Sequence, residues 1–159
     1  MILVLLGTQN NSFSRLLEQI EKCIKTYIIK EKVVVQAGAT NFESKKMEIF
    51  DYRPKEEIQE LIQEASFVIT HGGVGSITNC LKKNKKVIAV PRVKKFNEHV
   101  NDHQIQIVKD FDDKGYIKGV FELENLPKAI KNIAAFKPKP FESGNSKILK
   151  LVSDFIDDN

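Results

Sequence analysis

The sequence predicts an α/β fold in which a parallel, Rossmann-like sheet carries helices on both of its faces. Two observations support this prediction. Short apolar segments alternate with segments of helical periodicity along almost the whole chain, and consecutive apolar residues are typical of strands buried on both faces. Strands joined by helices indicate a parallel sheet, because parallel neighbours need a crossover connection.

The elements follow one another in a regular order. Strands are expected at about 1–6, 33–35, 47–50, 67–70, 87–90 and 116–117, and helices at about 12–28, 54–65, 76–83, 102–113, 126–133 and 146–156. Ser12 can cap the first helix, and Pro54 suits the first position of the second. Pro91 stops the fifth strand, and the proline-rich segment 136–140 is expected to be a rigid connector.

Composition indicates one globular domain, residues 1–159, of which 137–159 form a connector and a C-terminal helix. The chain has 159 residues, of which 42% are hydrophobic and 29% charged. Its net charge of +4 comes from lysines spread along the chain, which does not favour nucleic-acid binding. The apolar N-terminus is too short for a signal peptide core or a membrane span. Cys23 and Cys80 have no CxxC spacing and are expected to be buried thiols, so we expect a cytoplasmic protein without a metal site.

Several turn residues directly follow predicted strands. Gly7, Gly38, the pair Gly72-Gly73 and the pair Pro91-Arg92 all do so. The carboxyl ends of parallel strands share one edge of the sheet, and ligands bind outside that edge. A ligand site is therefore expected at this carboxyl rim.

The segment from Thr70 to Ser76, with the sequence THGGVGS, is the most informative part of the chain. Gly72, Gly73 and Gly75 lie between a predicted strand and a predicted helix, where free backbone N–H groups and the positive end of the helix dipole favour phosphate. A tight turn alone needs fewer glycines. The segment is neither a P-loop nor a dinucleotide fingerprint, because no Gly-Lys-Ser/Thr follows and Thr78 stands in the third glycine position.

Roles of the polar residues in this turn stay open. His71 could be a general base, a hydrogen-bond donor to a diphosphate, or a capping residue. Ser76 could donate to a phosphate or cap the helix.

Two further clusters are expected at the same rim. The first is Asn101-Asp102-His103-Gln104, which either caps a helix or binds sugar hydroxyl groups. The second is Gly7-Thr8-Gln9, which offers backbone and side-chain groups to the same cleft. Arg92, after Pro91, either neutralises a diphosphate or belongs to a solvated loop.

These motifs, taken in order, resemble the C-terminal, donor-binding half of GT-B glycosyltransferases of the family 28 type. The chain resembles the small catalytic subunit of two-component bacterial glycosyltransferases in capsule and exopolysaccharide synthesis. It is also similar to the soluble subunit of the eukaryotic two-subunit N-acetylglucosaminyltransferase that acts on dolichol-linked sugar. The resemblance extends from Gly7-Thr8-Gln9 through Tyr116.

The resemblance implies an inverting transfer from a UDP-sugar to a sugar on a polyprenyl diphosphate. The diphosphate would lie at the turn from Gly72 to Ser76, Asp102 and Gln104 would hold sugar hydroxyls, and residues from Pro91 onward would border the base. No metal or other cofactor is implied, because the helix dipole and N–H groups offset the charge on the departing UDP. Asn79 stands where fused relatives commonly have a ribose-binding glutamate.

The resemblance also implies a partner. A GT-B enzyme needs a second domain across the cleft, which the family supplies as a separate membrane-anchored subunit that brings the acceptor. This chain would then lie at the inner face of the membrane. The alternatives are a non-catalytic nucleotide-binding regulatory module and another GT-B activity, such as an epimerase or hydrolase.

Overall fold

A computed structural model describes residues 1–142 of the protein. Its centre is a six-stranded sheet in the order β3-β2-β1-β4-β5-β6, with every neighbouring pair parallel. The strands are β1 (Ile2–Leu5), β2 (Val33–Gln36), β3 (Glu48–Phe50), β4 (Phe67–His71), β5 (Val87–Val90) and β6 (Lys118–Gly119). The predicted α/β fold with a parallel, Rossmann-like sheet is confirmed.

The described part of the chain has five α-helices, of which the first four connect strands and the fifth follows β6; β2 and β3 are joined by a loop. The helices are α1 (Ser14–Lys25), α2 (Lys55–Glu64), α3 (Val74–Lys82), α4 (His103–Asp113) and α5 (Leu126–Asn132). Short 3-10 turns occur at Lys94–Phe96, Leu123–Asn125 and Ile133–Ala135.

The core has two layers, one on each face of the sheet. Alternate residues of β1 point to opposite faces, so that Val4 packs with α1 and α5 while Leu3 packs with α2, α3 and α4. Phe13, just before α1, and Phe111 of α4 are fully buried in these two layers. Helices therefore cover both faces of the sheet, and the loops at the carboxyl ends of β1, β4 and β5 lie between these two helical layers.

Three local predictions are wrong in detail. Ser12 does not cap the first helix, which begins at Ser14 after Phe13 and has no side-chain cap. The third helix begins at Val74, so Gly75 lies in its first turn instead of before it. The last strand lies at Lys118–Gly119, later than predicted, because the turn that closes α4 extends through Tyr116, whose amide donates to Phe111 O.

The connector after α5 packs against the end of α4. The amide of Lys139 donates to Gly115 O, and the ring of Phe141 meets that of Tyr116 edge-on at 5.5 Å. The predicted helix at 146–156 lies outside the described residues. Within residues 1–142, none of the helices is both long enough and apolar enough to cross a membrane.

Candidate functional site

A small cavity of about 240 Å³ lies at the carboxyl rim, over the ends of β1, β2 and β4. We call it the rim cavity. Its lining consists of Leu5, Gly7, Thr8, Gln36, Ile58, His71, Gly75, Ser76 and Asn79. The structure thus brings together six residues that the sequence singled out. Leu5, Gln36 and Ile58 were missed, although Gln36 is a polar residue at the end of an apolar strand.

The N-terminus of α3 forms one wall of the rim cavity. Gly73 is the N-cap residue of α3, and no side chain caps this helix. The Ser76 hydroxyl lies 2.8 Å from Thr70 Oγ1, so it faces β4 and does not act as a cap. The first-turn amides and the positive end of the helix dipole therefore have no protein side chain as a cap, which is the arrangement that binds anions elsewhere.

The surroundings of two glycines in this turn differ. A Cβ on Gly72 would lie 2.9 Å from Gln104 Cβ and Val108 Cγ2, so close packing against α4 excludes a side chain there. A Cβ on Gly75 would meet no atom within 4 Å, and its φ is not in the left-handed region. Packing therefore explains Gly72 but leaves Gly75 facing open space.

Gly7 brings the loop after β1 against His71. Its φ is +85°, and a Cβ there would lie 2.6 Å from Cε1 and Nε2 of the imidazole. Both the backbone conformation and the contact distance require glycine at this position.

His71 is buried and electrically neutral. Burial, and secondarily the charge of Arg92, lower the pKa of its imidazole to about 3. Its Nδ1 lies 3.2 Å from Gln104 Nε2. At neutral pH the residue is a hydrogen-bonding group of fixed position.

Gln104 does not lie where a sugar hydroxyl could reach it, contrary to the sequence-based hypothesis. Its side chain is fully buried. Its Oε1 accepts hydrogen bonds from the amides of Gly72 and Arg92, both at 3.0 Å. The amide group thus joins the ends of β4 and β5 from beneath the rim.

Arg92 does not face the cleft either, so both predicted roles, diphosphate neutralisation and a solvated loop, are wrong. The side chain is 1% exposed. Its guanidinium donates to the carbonyl oxygens of Leu6 at 2.6 Å, Asn11 at 2.8 Å and Glu98 at 2.9 Å. Burial lowers its pKa to about 10. Arg92 therefore ties the loop after β1 to the loop after β5.

Further contacts strengthen this connection between the two loops. Arg15 makes two hydrogen bonds to the carboxylate of Glu98, at 2.8 and 2.9 Å. Gln9, predicted to face the ligand, lies 2.8 Å from His99, Nε2 to Nε2. Sequence reasoning missed Arg15 and Glu98 as partners, because no spacing pattern links residues so far apart in the chain.

Two further predicted residues, Pro91 and Asp102, line a second depression, the lateral groove, between α1, α4 and the loops after β5 and β6. It has a volume of about 920 Å³. Its lining residues include Pro91, Asp102, Phe96, Ile105 and Phe121. The two sequence motifs therefore end in two separate depressions.

The start of α4 is organised by its own polar residues. Asp102 is exposed, and its Oδ1 accepts from the Lys94 amide at 2.8 Å. Asn101 Oδ1 accepts from the amide of His103 at 3.0 Å, as in a helix-capping turn.

The Asn79 side chain, on α3, contacts the neighbouring helix α2. Its Oδ1 accepts from Gln59 Nε2 at 3.1 Å. Over residues 1–142, no three or more His, Cys, Asp or Glu side chains form a group that could hold a metal ion.

The strand order and the glycine turn at the carboxyl rim define a Rossmann-like domain with a ligand edge at the ends of β1 and β4. Residues 1–158 match the family described as the glycosyltransferase family 28 C-terminal domain. The chain belongs to this family.

Curated relatives match over part of their length. The chain is 36% identical over 67 residues to the human UDP-N-acetylglucosamine transferase subunit ALG13, a match that covers 42% of this chain and 6% of the human protein. It is 29% identical over 79 residues to the Candida albicans protein of the same description, covering 50% and 26%. The chain thus spans about a quarter or less of the curated relatives it matches.

Solved structures share the fold. The solution structure of ALG13 has a TM-score of 0.59 at 19% identity, covering 94% of this chain and 92% of that one. MurG from Acinetobacter baumannii has a TM-score of 0.55 at 17% identity, covering 83% of this chain and 40% of that one. The fold therefore occurs both as most of a chain and as less than half of a longer one.

Proposed function

We propose that this chain is the donor-binding, catalytic subunit of a two-subunit inverting glycosyltransferase. Its donor is a UDP-sugar, and its acceptor is a sugar on a polyprenyl diphosphate, in the synthesis of a surface polysaccharide. One observation carries the proposal. The uncapped N-terminus of α3 faces the rim cavity with Gly75 open in its first turn.

The rim cavity suits the diphosphate of the donor. The amides of the first turn of α3 can donate to phosphoryl oxygens, and the absence of a side chain at Gly75 lets an anion approach the backbone closely. Thr8 and His71 also line this cavity. Asn79, one turn further along α3, lines the same cavity, and we assign it a contact to the nucleoside.

The same groups favour departure of UDP. Negative charge develops on the diphosphate as the anomeric carbon is attacked, and fixed N–H donors at a helix N-terminus stabilise it without rearrangement. In this mechanism the chain needs no metal ion. His71, with its pKa lowered to about 3, is a poor general base at neutral pH. We therefore assign the base that activates the acceptor to the partner subunit.

A partner is also favoured by the size of the site. A cavity of about 240 Å³ is smaller than most sites that enclose a whole ligand, so it accommodates the diphosphate and leaves the rest of the donor against another surface. The relative ALG13 is described as a subunit of a transferase. We propose a membrane-anchored, acceptor-binding partner that keeps this chain at the cytoplasmic face of the membrane.

A second candidate is a non-catalytic nucleotide-binding module. The burial of Gln104 favours it, since this side chain was expected to hold the sugar. Asp102 is exposed at the start of α4, and we assign it to the donor sugar, a role that a transferase needs and a nucleotide-binding module does not. Turnover separates the two candidates, because only the transferase releases UDP from a UDP-sugar in the presence of the partner and a lipid-linked acceptor.

Calorimetric titration of the purified chain with UDP, with ADP as control, tests the nucleotide site. We expect selective binding of UDP, and a panel of UDP-sugars then identifies the donor. A chain that binds neither nucleotide, alone or co-expressed with its partner, would contradict the proposal.

A further inference from the structure

We propose that Gln104 is a positioning residue. Its side chain holds His71 as the tautomer with the proton on Nε2, and this N–H donates to a phosphoryl oxygen in the rim cavity. The phosphate contact rests on the proposed function, whereas the tautomer does not. Gln104 thus acts on the ligand through His71 and does not touch the sugar itself.

The orientation of the Gln104 amide follows from its neighbours. Two backbone N–H groups, those of Gly72 and Arg92, point at one end of the amide at 3.0 Å each. Only the oxygen can accept from both. A flipped amide would bring its NH₂ group against these two backbone N–H donors. Neither the NH₂ group nor the two N–H groups would then have an acceptor.

This orientation determines the proton position on His71. With its oxygen committed, Gln104 presents Nε2 to the imidazole, 3.2 Å from His71 Nδ1. An amide nitrogen can only donate, so Nδ1 must accept and carries no proton. The neutral imidazole has a single N–H, which is then on Nε2.

Burial keeps the ring neutral. Burial is the main reason that the pKa of His71 is lowered, and the charge of Arg92 lowers this pKa further. The ring therefore does not become an imidazolium at neutral pH, and the Nε2 proton is the single one it offers.

The Nε2 edge of the ring lies against Gly7, which is one of the residues that line the rim cavity. A Cβ on Gly7 would be 2.6 Å from Nε2, and His71 itself lines the cavity together with Gly75 and Ser76. No hydrogen bond from Nε2 to another described residue competes with a ligand. The proposed contact is a hydrogen bond from this N–H to an anion held by the α3 amides.

Long-range ¹H–¹⁵N correlation spectra of histidine-labelled protein test the tautomer. In the wild type we expect His71 with Nε2 protonated and Nδ1 unprotonated. The variant Gln104→Glu keeps an oxygen for the two amides but places a second acceptor against Nδ1, so Nδ1 should become protonated. Gln106→Glu is the matched control, because it makes the same charge change at an exposed position of the same helix.

UDP titration of the same three proteins tests the phosphate contact. The Gln104→Glu protein loses the Nε2 donor, so its UDP affinity should be about tenfold or more weaker than that of the wild type. The Gln106→Glu protein keeps the donor and should bind UDP with wild-type affinity. A wild-type His71 with its proton on Nδ1 would overturn the proposal without need of any variant. So would a Gln104→Glu protein that keeps the wild-type tautomer.

The two parts of the proposal fail in distinguishable ways. An altered tautomer with unchanged UDP affinity would overturn the phosphate contact alone. Absence of UDP binding by the wild type would overturn the proposed function and that contact together, while the tautomer spectra would still decide the role of Gln104.

Discussion

The substitution Gly75→Ala separates a ligand-binding glycine from a structural one. The added methyl group would meet no protein atom within 4 Å, and Gly75 lies in the first turn of α3. Alanine favours the helix over glycine by about 0.5–1 kcal/mol. We therefore expect the free energy of unfolding to stay the same or rise by about that amount, or about 1–4 °C in Tm.

The same methyl group would occupy the space that we assign to the diphosphate. Displacing the phosphate from even one helix amide loses a hydrogen bond to a charged group, worth about 1.5–3 kcal/mol. This loss corresponds to a dissociation constant for UDP that is about 10- to 100-fold larger. Calorimetry with UDP and urea denaturation of the same preparations measure both effects.

Gly72→Ala is the matched control, because the same methyl group is added three residues earlier in the turn. There it would lie 2.9 Å from atoms of Gln104 and Val108, so the variant should lose about 1–3 kcal/mol of stability through overpacking. A Gly75→Ala protein that binds UDP as tightly as the wild type would refute the assignment of the phosphate to the α3 amides. A Gly75→Ala protein that is destabilised as strongly as Gly72→Ala would show that the space is not open.

Three further predictions concern other residues of the site. Arg92→Met should lower the free energy of unfolding by about 3 kcal/mol or more, measured in urea, because it leaves three backbone carbonyl oxygens without their buried donor. Since the pKa of His71 is lowered to about 3 from 6.5, the unfolded chain binds a proton below about pH 6.5 that the folded protein does not. Stability should therefore fall as the pH drops below about 6.5, by about 1.4 kcal/mol per unit; His71→Gln should lose this dependence and His103→Gln should keep it. Asp102→Ala should abolish transfer by the co-expressed pair at unchanged UDP affinity, and unchanged turnover would remove Asp102 from the donor-sugar site.

The sheet could be predicted from the sequence because its cause is local. The run Val87–Val90 is apolar at every position, and such a run forms a strand buried on both faces. The position of β6 could not be predicted in the same way. Its two residues, Lys118 and Gly119, are polar or small, and the apolar Ile117 just before them serves the core instead.

The rim cavity was also accessible to sequence reasoning, because topology alone brings Gly7, His71 and Gly75 to one edge. The roles of Arg92 and Gln104 were not. Both are polar residues next to a predicted rim, a position that favours ligand binding. The backbone groups that bind them come from segments that are distant in the chain. Only the tertiary structure shows that both side chains are buried and hydrogen-bonded to these groups, away from the cleft.

The most direct test of the nucleotide site is a titration of ¹⁵N-labelled protein with UDP in which amide chemical shifts are measured at each UDP concentration. If the diphosphate binds the N-terminus of α3, the amide resonances of Val74, Gly75 and Ser76 should show the largest changes and saturate at the calorimetric stoichiometry. Shifts confined to the lateral groove, around Phe96 and Phe121, would contradict the proposed site.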